Sequence, residues 1–178
     1  AAAQEEEKVL NVYNWSDYVA EDTISNFEKA TGIKVNYDVY SENETLETKL
    51  TAGSSGYDVV FPSARPFAQR QIKAGLYLPL DKAKLPNVGN VDPAYLNTSF
   101  DPGNRFSVPY AMSTTILGYN DAKMKELGLP TNTWAAIFDP KLLEKVKGRV
   151  TVLDSASELF AAALIHLGYS ANDTDEKR

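Results

Sequence analysis

Short apolar runs alternate with segments of helical spacing along the chain as far as Gly75. The runs have the alternation or the length that is typical of strands, and the segments between them place their apolar residues on one helical face. The predicted strands are Val9–Tyr13, Ile33–Tyr40 and Tyr57–Phe61. The predicted helices cover 22–30, 41–53 and 67–74, and the first of them ends at Gly32. This order predicts a parallel sheet with helices on both faces.

The periodicity lapses between Leu80 and Gly103, where proline, asparagine and glycine residues indicate connecting structure. Regular patterns then resume. The predicted strands are Phe106–Tyr110, Thr114–Asn120 and Arg149–Leu153, and the predicted helices cover 121–127, 142–146 and 155–167. Two α/β segments separated by an irregular stretch indicate two lobes. We therefore expect a first lobe over 1–109 and the beginning of a second lobe over 110–178.

Two segments have the spacing of a capping box, in which a serine and a glutamate three residues later satisfy the first N–H groups of a helix. Ser41 and Glu44 form the first and predict the start of the second helix. Ser155 and Glu158 form the second. The spacing alone therefore favours a helix cap as the role of Glu158.

The composition excludes several classes of function. The net charge of −6 and the pI near 4.9 argue against nucleic-acid binding and weakly favour a cationic partner. The chain has no cysteine, which excludes a disulfide framework, a thiol nucleophile and a thiolate metal site. The single histidine, His166, has no companion histidine with which to form a metal site. No apolar segment is long enough to span a membrane.

Four side chains of different chemistry follow the first predicted strand: Trp15, Ser16, Asp17 and Tyr18. Ligands of open α/β sheets bind outside the carboxyl ends of the strands, which is where this segment lies. An aromatic face attracts a cation, and a carboxylate accepts charge-assisted hydrogen bonds from an ammonium group. The alternative is that the two aromatic residues belong to the core and that Ser16 or Asp17 caps the next helix.

The motifs along the chain also occur in a recognisable order. They are Val12–Tyr18, Phe27–Val35, Ser41–Thr45, Tyr57–Ser63, Pro79–Lys82, Val108–Tyr110, Thr114–Asn120 and Leu153–Phe160. In this order, over nearly the whole chain, they resemble the periplasmic polyamine-binding proteins of bacterial ABC transporters, which bind putrescine or spermidine. The agreement of many motifs is far more specific than any single one.

The resemblance implies an α/β, type II periplasmic-binding fold whose two lobes, with mixed or parallel sheets, close on a polyamine. It implies ligand contacts from Trp15, Ser16, Asp17, Tyr18 and Ser63 in the first lobe and from Glu158 in the second. Such a receptor delivers its ligand to a membrane ABC permease and uses no cofactor, metal ion or catalytic residue. Family members are considerably longer, so the resemblance is to the N-terminal half, and we expect a missing C-terminal half of the same protein. A periplasmic location agrees with Ala1–Lys8, which lacks the regions of a signal peptide and is typical of a mature end left after cleavage.

Two residues depart from the pattern of the family. Arg65 stands two residues after Ser63, where members often carry an aromatic or a small polar residue. A guanidinium in a cation site repels the ligand more strongly as water is excluded. We therefore expect Arg65 either to point outward or to pair with a ligand that bears a carboxylate. Met112 stands where many members have tryptophan, which weakens one expected aromatic surface.

Two other functions stay open on the sequence. A binding protein of the same fold could take another amine or an amino acid, with Arg65 holding the carboxylate of the ligand. A carboxylate-based hydrolase could use Asp17 and Glu158 as an acid–base pair. The sequence contains no nucleophile motif, phosphate loop or metal-ligand spacing that would support an enzyme. A polyamine receptor without catalysis is therefore the favoured interpretation.

Overall fold

The computed structural model describes residues 7–175. They form two compact units that divide between Met112 and Ser113, and each unit is described by itself. The lobe boundary at 109/110 stays a prediction. The interpretation of Ala1–Lys8 as a mature end depends on residues 1–6, which lie outside the described residues. Among the described helices, none combines the length and the apolar composition needed to cross a membrane.

A parallel sheet of three strands forms the centre of the first unit. The strands are β1 (Val9–Trp15), β2 (Lys34–Tyr40) and β3 (Val59–Val60). Their order is β2-β1-β3, and Trp15, the last residue of β1, lies opposite Tyr40, the last residue of β2. The predicted parallel sheet is confirmed, and β1 is its central strand.

The third strand is shorter than the predicted segment Tyr57–Phe61. At its beginning only half of the ladder forms. The Asp58 N–H donates to the Asn11 carbonyl at 2.8 Å, but the Asn11 N–H donates to the Asp58 carboxylate at 2.8 Å rather than to a strand carbonyl. At its other end the Phe61 carbonyl accepts hydrogen bonds from side chains, and Pro62 has no N–H to offer. Only Val59 and Val60 remain paired with β1.

The described part of the first unit contains three α-helices: α1 (Thr23–Thr31), α2 (Asn43–Thr51) and α3 (Gln69–Lys73). The first ends at Gly32 in a left-handed conformation with φ of 70°, as predicted. The capping box at Ser41 and Glu44 is wrong. The N-cap residue is Glu42, without a side-chain cap, so Ser41 lies one residue too early to cap the helix.

Helix α2 packs on one face of the sheet through a buried aromatic and aliphatic cluster. Tyr13, Tyr40 and the fully buried Leu46 form its centre. The Tyr13 ring stacks on Tyr57 with the ring centroids 4.5 Å apart. The ammonium group of Lys49 lies 4.5 Å from the centroid of Tyr13. These contacts attach α2 to β1, β2 and the segment that leads into β3.

The region from Lys82 to Asn104 contains short 3-10 turns, in agreement with the predicted connecting structure. It is organised by the buried carboxylate of Asp101, which accepts the backbone N–H groups of Arg105, Phe106 and Ser107. The predicted strand Phe106–Tyr110 is therefore wrong. The N–H groups of Phe106 and Ser107 are bonded to Asp101 instead of to a neighbouring strand, and Pro109 has no N–H to donate.

The described part of the second unit contains helices and no strand. The helices are α4 (Asp121–Glu126), α5 (Ala135–Phe138), α6 (Pro140–Leu143) and α7 (Ala156–His166). Met124, Leu129 and Ala136 form its buried cluster. The predicted strands Thr114–Asn120 and Arg149–Leu153 are wrong for the described residues, because neither segment has a neighbour there to complete a hydrogen-bonded ladder.

Acid should weaken the attachment of α2 to α3. Arg70 forms a bidentate ion pair with Glu47, and these hydrogen bonds lower the pKa of Glu47 from its ordinary value of 4.5. A carboxylate with a depressed folded-state pKa contributes its full stabilisation above pH 4.5 and loses it as the pH falls further. Glu47→Gln should remove this acid-sensitive component, about 1 kcal/mol or less for an exposed pair.

Urea unfolding of the wild type and of Glu47→Gln, from neutral to acid pH, measures this component. Glu21→Gln, at an exposed carboxylate, is the matched control and should keep the pH dependence of the wild type. Identical pH profiles for the wild type and Glu47→Gln would contradict the assignment.

Candidate ligand-binding site

The carboxyl ends of the three strands meet at one edge of the sheet in the first unit. Trp15 ends β1 and is followed by Ser16, Asp17 and Tyr18, while Ser63 stands three residues after β3. Parallel strands bring their carboxyl ends to the same edge, where α/β proteins bind ligands. The structure thus brings five of the six predicted site residues to one edge.

One backbone oxygen at this edge joins the three strands. The Phe61 carbonyl, just after β3, accepts the indole N–H of Trp15 at 2.7 Å and also the hydroxyl of Tyr40. The rings of Trp15 and Tyr40 lie in contact, with their centroids 4.7 Å apart. Burial raises the pKa of Tyr40, so its phenol stays protonated and able to donate. The indole of Trp15 is consequently held in one orientation.

Asn14, which is fully buried, supports the turn after β1. Its side-chain oxygen accepts the backbone N–H of Trp15 at 2.7 Å. Asp17 has a left-handed backbone with φ of 58°, a conformation that aspartate tolerates better than most residues. Ser16 and Asp17 are exposed. The alternative in which one of them caps the next helix is wrong, because the N-cap residue of α1 is Asp22.

Aromatic rings extend from this turn along the edge. Tyr18 lies 6.1 Å from Trp15 and 6.2 Å from Tyr110, measured between ring centroids. Tyr110 also packs edge-on against Phe61 at 5.0 Å, and its hydroxyl donates to the backbone carbonyl of Tyr18. Tyr110 is not among the predicted site residues. Its place in the motif Val108–Tyr110 is the available signal, but the local pattern of that segment indicates only a strand.

Ser63 is held by Asn43, the first residue of α2. The Asn43 side-chain oxygen accepts the Ser63 backbone N–H at 2.8 Å, and its amide nitrogen donates to the Ser63 hydroxyl oxygen at 2.9 Å. The sequence pattern assigns Asn43 only to the capping-box segment. Its contact with Ser63 joins two segments that are 20 positions apart, which no local pattern reveals.

Arg65 and Met112, the two departures from the family pattern, are both exposed. The guanidinium of Arg65 donates to the hydroxyl of Ser99. Met112 is the last residue of the first unit.

Glu158, the sixth predicted site residue, lies in the second unit, in the first turn of α7. Its carboxylate accepts the hydroxyl of Thr115. Ser155 is the N-cap residue but forms no side-chain cap, so the capping-box interpretation of Glu158 is wrong. The carboxylate is turned toward Thr115 instead. Among residues 7–175 no cluster of three or more metal-ligating side chains occurs.

Residues 22–178 match the family described as bacterial extracellular solute-binding proteins. The chain belongs to this family. Solved structures of related proteins superpose on this chain and show the same fold. A putative spermidine/putrescine ABC transporter protein from Listeria monocytogenes superposes with a TM-score of 0.83 at 35% identity, over 96% of this chain and 51% of that one. The Tp0655 lipoprotein of Treponema pallidum gives 0.79 at 32% identity, over 95% and 51%. The predicted α/β, type II periplasmic-binding-like fold is confirmed.

Curated solute-binding proteins are more similar still in sequence. The chain is 49% identical over 166 residues to a putrescine/cadaverine-binding protein of Pseudomonas aeruginosa, covering 93% of this chain and 47% of that protein. It is 50% identical over 175 residues to the putrescine-binding periplasmic protein PotF of Escherichia coli, covering 95% and 47%. The chain thus spans about half the length of the curated relatives it matches.

Removing the hydroxyl group of Tyr40 should loosen the edge of the sheet without unfolding this solute-binding domain. Tyr40→Phe keeps the buried ring and deletes one of the two hydrogen bonds to the Phe61 carbonyl. We expect the free energy of unfolding to fall by about 0.5–1.5 kcal/mol, the usual net value of such a bond. Urea unfolding measures it. Tyr95→Phe, at an exposed position, is the control, and equal stability of both variants would contradict the role of Tyr40.

Proposed function

We propose that this chain is part of a periplasmic receptor that captures a polyamine, of the putrescine or spermidine class, for an ABC importer. The main support from the structure is the hydrogen bonding at the edge of the sheet. Trp15 and Tyr40 donate to the Phe61 carbonyl, and Tyr110 donates to the Tyr18 carbonyl. These donors are engaged internally, so the edge offers aromatic faces and oxygen atoms to a ligand.

Such an edge suits a ligand that brings its own donors. A polyamine carries ammonium groups joined by methylene segments, so it needs carboxylates near the charges and apolar walls along the carbons. Trp15 and Tyr18 supply the wall, and the exposed carboxylate of Asp17 lies between them in the chain. Ser16 and Ser63 supply further polar contacts. The names of the relatives, which bind putrescine, cadaverine or spermidine, support the same ligand class.

Glu158 is the proposed contribution of the second unit. A ligand with separated ammonium groups is best held by carboxylates from different elements, because each buried charge needs its own partner. The hydrogen bond from Thr115 orients the Glu158 carboxylate and leaves lone pairs on its oxygens for an ammonium group. We propose that the Glu158 carboxylate, like that of Asp17, binds an ammonium group.

The receptor is proposed to include the C-terminal half of the same protein, a companion segment of about the same length as this chain. Its support is the coverage of the relatives, of which this chain spans about half. Micromolar binding requires about 8 kcal/mol. Each charge-assisted hydrogen bond contributes roughly 1.5–3 kcal/mol before the cost of ordering the ligand is subtracted. The proposed contacts of this chain are therefore too few for a high-affinity site.

Catalysis is not part of the proposal, because the family and its relatives are described as binding proteins. No observation favours a hydrolase that uses Asp17 and Glu158. No observation favours an amino-acid ligand held by Arg65, since the guanidinium is hydrogen bonded to Ser99. The polyamine receptor is the single candidate function.

Titration calorimetry with putrescine and spermidine tests the proposed division of the site. The 178-residue chain alone should bind either amine weakly or not at all, and the companion segment should restore binding. Glutamate, as an amino acid, is the control ligand and should not bind. Submicromolar binding by the chain alone would contradict the division, and tight glutamate binding without amine binding would contradict the ligand class.

Trp15→Ala tests the aromatic wall in a protein that carries this chain and its companion. Loss of a desolvated cation–π contact should weaken polyamine binding by roughly 1–2 kcal/mol. Trp134→Ala, at the other tryptophan, is the matched control and should leave the affinity unchanged. Unchanged affinity with a lower melting temperature in Trp15→Ala would assign Trp15 to the core alone.

A further inference from the structure

The contact between Asn43 and Ser63 has an unusual form for two residues on the surface of the first unit. One primary amide bonds both polar groups of Ser63, accepting its backbone N–H at 2.8 Å and donating to its hydroxyl oxygen at 2.9 Å. A single hydrogen bond would leave the serine free to rotate about its side-chain torsion. Two bonds from one planar group fix both the backbone and the hydroxyl oxygen.

Asn43 is itself well placed to hold another residue. It begins α2, whose next turn carries the fully buried Leu46. Lys49, a turn further on, lies over Tyr13 and donates to the hydroxyl of Tyr57 at 2.9 Å. The helix is therefore anchored to the sheet over its length. The hydrogen bonds of Asn43 to Ser63 attach the loop after β3 to this anchored helix.

We infer that Asn43 is a positioning residue that determines which hydrogen bonds Ser63 can offer to a ligand. This inference rests on the proposed function, in which Ser63 contacts the amine. A hydroxyl oxygen accepts two hydrogen bonds and donates one. Because the Asn43 amide occupies one lone pair, the Ser63 hydrogen points away from Asn43 and one lone pair stays available. An ammonium group, which only donates, fits that lone pair.

Replacement of Asn43 by aspartate reverses the direction of one of these bonds. The carboxylate still accepts the Ser63 backbone N–H, but it cannot donate to the hydroxyl oxygen. In the Asn43→Asp variant the Ser63 hydroxyl instead donates to the new carboxylate, and both of its lone pairs face outward. Asn43→Ala removes both contacts. The two variants therefore separate the backbone contact from the orientation of the hydroxyl group.

Amide hydrogen exchange at Ser63 tests the contact directly. Asn43→Ala should speed the exchange of the Ser63 N–H, whereas Asn43→Asp should keep it protected. Asn26→Ala is the matched control, since Asn26 also donates an amide hydrogen bond, to Asp22 at the start of α1, and should leave Ser63 unaffected. Equal exchange at Ser63 in the wild type and in Asn43→Ala would overturn the inference, whether or not the protein binds amines.

A double-mutant cycle on putrescine binding tests the action through Ser63. In a protein that carries this chain and its companion, Asn43→Ala should weaken binding about three- to tenfold, the effect of one misplaced hydrogen bond. The same change in a Ser63→Ala background should have no effect. An equal loss in both backgrounds would show that Asn43 acts through the fold instead. Absence of amine binding by the wild type, with the expected exchange pattern, would overturn the proposed function and support the positioning contact.

Discussion

The Phe61 carbonyl is the point on which the candidate site depends. It accepts hydrogen bonds from the last residues of both β1 and β2, although it follows β3 itself. A carbonyl oxygen has two lone pairs, and here both are used by side chains, the indole of Trp15 and the phenol of Tyr40. Since the third strand pairs over only two residues, this oxygen supplies a connection that the backbone ladder does not. It holds the three strand ends in a fixed arrangement.

The same bonds determine what the edge can recognise. An indole with a free N–H attracts acceptors such as carboxylates, whereas one whose N–H is engaged offers mainly its π face and its apolar edge. Tyr40 and Tyr110 are likewise engaged as donors to backbone carbonyls. The exposed carboxylate of Asp17 adds the remaining requirement for a cation. In the proposed receptor, selectivity for amines follows from hydrogen bonds made within the protein.

Local patterns predicted the elements whose formation depends on local chemistry. The parallel sheet, the end of α1 at Gly32 and the position of α7 all followed from periodicity and helix-ending signals. Trp15 to Tyr18 could be placed at a strand end because β1 is strongly patterned. Ser63 and Glu158 could be named only through the resemblance of motifs, since serine after proline and a glutamate near a helix start have ordinary structural roles.

Two of the failures share one physical cause, which is a side-chain carboxylate that accepts backbone N–H groups that a strand would otherwise use. The Asp58 carboxylate accepts the backbone N–H of Asn11 in β1, and the Asp101 carboxylate accepts the backbone N–H groups of Phe106 and Ser107. Neither carboxylate can be told from a surface aspartate by its neighbours in sequence. The Asn43 contact with Ser63 is of the same kind. Helical segments are easier to predict because their backbone partners lie only four residues away.

The central claim is tested most directly by nuclear magnetic resonance of Trp15 in a protein that carries this chain and its companion segment, with putrescine bound. If the ligand lies on the indole face, the ring protons of Trp15 should show Overhauser effects to the methylene protons of putrescine. The indole N–H should meanwhile keep its chemical shift and slow exchange, because the Phe61 carbonyl still holds it. Overhauser effects confined to Trp134, or release of the Trp15 indole N–H on binding, would contradict the claim.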